Sequence, residues 1–98
     1  MISFEELLSW KQLGSFPDDI PPLIQALLLE SAGDWHNAHK IAQNDPSSDG
    51  SWVHAYLHRV EGDLGNASYW YRSAGKSLPK ISLEEEWEYI AMALAEKS

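Results

Sequence analysis

The chain predicts an all-α fold of five or six helices, stacked as antiparallel hairpins, and three features of the sequence carry that prediction. Glycine and proline cut the 98 residues into helix-length pieces. No segment alternates apolar and polar residues as a half-buried strand would. The stretch Gly33-Asp34-Trp35-His36-Asn37-Ala38 returns as Gly62-Asp63-Leu64-Gly65-Asn66-Ala67, identical at four of six positions and offset by 29 residues between positions 33 and 62. Internal repeats of that length mark stacked helix pairs.

Each element has a local reason. Ser3 suits an N-cap, and Phe4, Leu7, Leu8, Trp10 and Leu13 make an amphipathic leading helix that ends at Gly14. Pro21 and Pro22 open a second helix, because a helix start loses nothing by a missing N–H. Its residues Leu23, Ile24, Ala26, Leu27, Leu28 and Leu29 are apolar on most faces, the mark of a helix central to its domain. Gly33 and Asp34 turn the chain into a third helix reaching Gln43, and the composition of residues 44–50 predicts a loop. A fourth helix is expected from about Ser51 to Glu61. Gly62 and Asp63 then turn it into a fifth that reaches Ala74. After a loop containing Pro79, Ser82-Leu83-Glu84-Glu85 reads as a capping box opening a sixth helix to Glu96. The expectation is one domain over residues 1–98: a leading helix in 1–14, hairpins in 22–79 and a closing helix in 82–96.

Composition excludes several functions. With no cysteine there are no disulfides, thiolate metal sites or cysteine nucleophiles. Seven Lys and Arg against fifteen Asp and Glu give a net charge of -8, which argues against nucleic acid and anionic membrane surfaces as partners. Met1 to Glu6 lacks the basic start and apolar run of a signal peptide, so a soluble cytoplasmic protein is expected. There is no phosphate-binding loop, nucleophile elbow or His-Glu-x-x-His helix, and no cofactor is expected. Glu84, Glu85, Glu86 and Glu88 read as a solvated helix face, and His36 and His39 as exposed.

Gly62-Asp63, Ala67, Tyr71, Ala74 and Pro79, with Ala55 on the preceding helix, resemble a tetratricopeptide repeat; Ala26, Gly33-Asp34 and Ala38 resemble a shorter earlier copy. The run from His54-Ala55-Tyr56-Leu57-His58-Arg59 through Glu61-Gly62-Asp63 and Asn66-Ala67 to Tyr69-Trp70-Tyr71-Arg72 also resembles a group of small bacterial proteins of unassigned function. The tetratricopeptide resemblance implies a non-catalytic module that binds a protein or peptide on the first helix of each pair. That face would hold Trp52, Tyr56 and Arg59, and Leu23, Ile24 and Leu27 in the earlier copy, unless the first or last helix folds back over it. Tyr69 and Trp70 are further partner-binding candidates. Two other classes stay open: a small metal-binding or enzymatic protein, and a structural protein that associates with copies of itself.

The sharpest feature is His54 and His58. Four residues apart, they share a helix face that Glu61 continues. Two imidazoles and a carboxylate at that spacing are candidate metal ligands, though short of a complete zinc set. The repeat register instead turns both histidines toward the paired helix. There they would need hydrogen-bond partners, for which Asp63, Asn66, Tyr69 and Tyr71 are the nearest candidates. A solvated polar stripe is the third reading.

Overall fold

The computed structural model describes residues 2–98. Among them are six helices and no strand: α1 (Phe4–Leu13), α2 (Pro22–Ser31), α3 (Trp35–Gln43), α4 (Ser48–Val60), α5 (Leu64–Ser73) and α6 (Leu83–Glu96). None is long and apolar enough to cross a membrane.

The first and last helices start with the same device. In α1 the Ser3 hydroxyl accepts from the Glu6 N–H at 3.1 Å, while the Glu6 carboxylate accepts from the Ser3 N–H at 3.0 Å. Ser82 and Glu85 repeat this at α6. Two N–H groups that the helix leaves unbonded are thereby satisfied at each start.

The repeated sequence spells a repeated turn. Gly33 and Gly62 take φ of 94° and 82°, a left-handed conformation that disfavours a side chain. The next residue closes each turn: the Asp34 N–H donates to the Leu29 carbonyl at 2.8 Å, and the Asp63 N–H to the His58 carbonyl at 2.9 Å. The carboxylates of Asp34 and Asp63 then cap the following helices, accepting from the backbone and side-chain N–H groups of Asn37 and Asn66. These bonds hold both carboxyls below the usual range. Ala26 and Ala38 in the first hairpin, and Ala55 and Ala67 in the second, are fully buried, and their small side chains let the paired helices close.

One boundary differs from the sequence expectation. α4 begins at Ser48, inside the segment expected to be loop. The Asp45 carboxylate accepts from both the N–H and the hydroxyl of Ser47, and the Ser47 hydroxyl caps the Gly50 N–H at 3.0 Å. Gly50 is helical, and its role is close approach: a Cβ there would lie 2.3 Å from the Asp45 carbonyl oxygen.

The two hairpins pair α2 with α3 and α4 with α5, and they join where α4 packs on both α2 and α3. On the other side of α2 and α4 lie α1 and α6. Trp87, Ile90, Ala91 and Leu94 of α6 enter the core, and the Trp87 indole N–H donates to the Leu27 carbonyl at 3.0 Å. Each large apolar side chain so buried stabilises the fold by roughly 1.5–3 kcal/mol. The closing helix therefore covers the face on which the repeat resemblance puts a partner. Leu23, Ile24, Leu27 and Tyr56 are buried there, and Trp52 and Arg59 are half-buried.

Candidate metal centre

α3 and α4 pack side by side, and their contact gathers histidines that lie far apart in sequence. His39 of α3 meets His54 and His58, one turn apart on α4. The Nε2 atoms of His39 and His54 are 3.0 Å apart, one donating and the other accepting. One ligand nitrogen from each of the three imidazoles lies within 4.8 Å of the others. His54 is the most enclosed, at 5% exposure. His58 donates from Nδ1 to the Glu61 carboxylate at 2.7 Å.

Two tryptophans wall the cluster. Trp35 stacks on His39 with ring centroids 4.8 Å apart, and Trp70 stacks on His54 at 4.1 Å. The Trp35 indole N–H donates to the Leu57 carbonyl at 2.7 Å, which fixes the plane of that wall. Burial, reinforced by His39 and His58, pushes His54 down to about 4. Burial and the neighbouring His58 also lower His39, partly offset by Glu61. Both rings are therefore neutral near pH 7, the form in which imidazole binds metal.

The donor set fits a divalent transition metal. With zinc–nitrogen bonds of about 2.0–2.1 Å in a tetrahedron, ligand nitrogens sit roughly 3.3 Å apart. The His39–His54 pair already has nearly that separation, and a ligand nitrogen of His58 lies within 4.8 Å of both. Its Nδ1 is engaged by Glu61, so Nε2 is the nitrogen left for a metal. A carboxylate behind a liganding imidazole is the usual orienting arrangement. Glu61 and Asp63 also form a group with His58, their ligand atoms within 4.8 Å of one another.

The residues expected to satisfy the histidines do not do so. Asp63 and Asn66 bond each other at the α5 start, Tyr69 is exposed and lies edge-on to Trp70, and the Tyr71 hydroxyl faces away toward α6. His36 is exposed as expected, but His39 is half-buried and supplies the third imidazole that was missing.

A second polar centre lies on the opposite side of α4. Glu86, read as part of a solvated face, is 2% exposed. Its carboxylate accepts from the Tyr71 hydroxyl at 2.7 Å, the Arg59 guanidinium at 2.9 Å and the Trp52 indole N–H at 3.2 Å. Arg59 also donates to the Ile81 carbonyl. Burial, with Glu86 adjoining, raises the Tyr71 hydroxyl far above its ordinary value. This centre ties α4, α5 and α6 together.

Compared with protein-family models, curated proteins and solved structures, the chain finds no match in any of the three.

Proposed function

We propose that the protein binds a divalent transition-metal ion through His39, His54 and His58, with Glu61 orienting His58. The observation that carries this reading is the convergence of three imidazole nitrogens within 4.8 Å, drawn from two helices. Supporting it are the enclosure of His54, the aromatic walls and the carboxylate behind His58. Imidazole suits zinc, nickel and copper, and among divalent first-row ions copper(II) binds such a set most tightly. The rival reading is a structural trio, since every buried side-chain nitrogen and oxygen among the described residues already has a hydrogen-bond partner.

Calorimetric titration with zinc chloride separates the two. One zinc per chain is expected. His39→Gln removes a ligand and abolishes saturable binding, Glu61→Gln weakens it about 10–100-fold, and His36→Gln leaves it unchanged. At a free zinc concentration of 100 times Kd, the chain gains about 2.7 kcal/mol of stability, which a chelator reverses. Absence of saturable binding, or equal losses in the His36 and His39 variants, defeats the metal reading in favour of the structural one.

A further inference from the structure

Between α4, α6 and the segment joining α5 to α6 lies a cleft of about 410 Å³. Trp52 lines it with Pro79, Ile81, Tyr89 and Ala93, and buried Glu86 lies at its floor. That volume falls in the usual range of ligand clefts, roughly 300–1,000 Å³. The chain already seats a cation there: the Lys76 ammonium lies over the Trp52 ring, 4.1 Å from its centroid. Lys76 is exposed, just beyond the α5 end, so moving it aside uncovers the indole without disturbing the core.

We propose that this cleft receives a lysine or arginine side chain from a partner protein, which displaces Lys76 from Trp52. The seated ammonium shows what the ring holds, since an aromatic face attracts cations through its quadrupole. Tyr89, at 57% exposure, is a second aromatic wall open to the incoming side chain. Glu85 and Glu88 line a neighbouring hollow that shares Tyr89 with the cleft. Glu86 is matched by Arg59, so the attraction rests on the aromatic faces and the net charge of -8. That net charge steers a basic partner from a distance. Lys76 is then a built-in competitor that sets how strongly a partner must bind.

The test uses the whole chain in the presence of a chelator, which isolates the cleft from the histidine centre. A short peptide with one central lysine, and its norleucine twin, are titrated while the Trp52 indole N–H and the Tyr89 amide are followed by nuclear magnetic resonance. The lysine peptide is expected to shift both signals and the norleucine twin neither. Lys76→Ala should tighten lysine-peptide binding about two- to fivefold, the value of a surface cation–π contact. Tyr89→Ala, on the exposed face of α6, should weaken it. Equal response to the two peptides, no response to either, or unchanged affinity in Lys76→Ala overturns the proposal.

Discussion

His54 and Glu86 are both buried polar residues within one small helical core, and they differ in who satisfies them. Glu86 is surrounded by donors of three kinds, one carrying the compensating charge of Arg59. Both its oxygens accept bonds, and its work is to hold α6 against α4 and α5. His54 is satisfied only by another imidazole, whose proton the two rings must share out, and its surroundings favour the neutral form. A buried charge with full partners is mechanical. A buried neutral base facing a second one is a donor set in waiting.

The largest effect is expected at Glu86. Glu86→Ala leaves the Arg59 guanidinium, the Tyr71 hydroxyl and the Trp52 indole N–H without their shared acceptor. Stability should fall by about 3–5 kcal/mol, the cost of removing one partner of a buried pair, as read by urea unfolding. A loss under about 1 kcal/mol would mean that water replaces the carboxylate and that the centre is not mechanical.

Acid should act mainly on the other centre. His54 titrates near 4 in the folded chain and near 6.5 unfolded, so the unfolded state binds the extra proton first. Stability is fully present above about pH 6.5 and is lost as pH falls through 4, by roughly 3 kcal/mol. The groups facing His54 are His39, His58 and, through His58, Glu61. His39 is lowered as well and adds a loss of the same sign. Unfolding curves for wild type and His54→Gln should converge across this window, because the variant lacks the titrating group. Parallel curves would remove His54 as the acid-sensitive element.

The smallest effect sharpens the cause. Trp70→Leu removes the ring stacked on His54 and admits water, so the His54 titration midpoint should move up toward that of a free imidazole. Proton resonance shifts of the ring follow it directly. An unmoved midpoint would assign the depression to the neighbouring histidines instead of burial.

Much of the fold was legible because it is written in residues that act locally. Ser3, Ser82, Gly33, Gly62, Asp34 and Asp63 each announce a helix end by their own chemistry, and all stand where expected. Ser47 was harder to read: its cap depends on Asp45 and on Gly50 being small enough to pass beneath the Asp45 backbone. The site was half legible. His54 and His58 share a face by spacing alone. His39 joins them only through the packing of α3 against α4, which no local pattern encodes. Glu86 had a signal that was outweighed: it lies four residues before Ile90 and eight before Leu94, on the buried stripe of α6. Its place among three consecutive glutamates in a first turn, where the helix dipole favours acids, argued for solvent instead.

The two tryptophans that wall the histidine centre have an optical consequence. A protonated imidazole in contact with an indole quenches its emission, and a bound open-shell ion such as copper(II) does so more strongly. Trp35 lies against His39 and Trp70 against His54, whereas Trp87 stacks on no imidazole and is buried in the core, bonded to the Leu27 carbonyl. The chain thus carries its own fluorophores at the centre and an internal reference away from it, so the state of three histidines can be read in the unlabelled protein as a change in the colour and brightness of its emission.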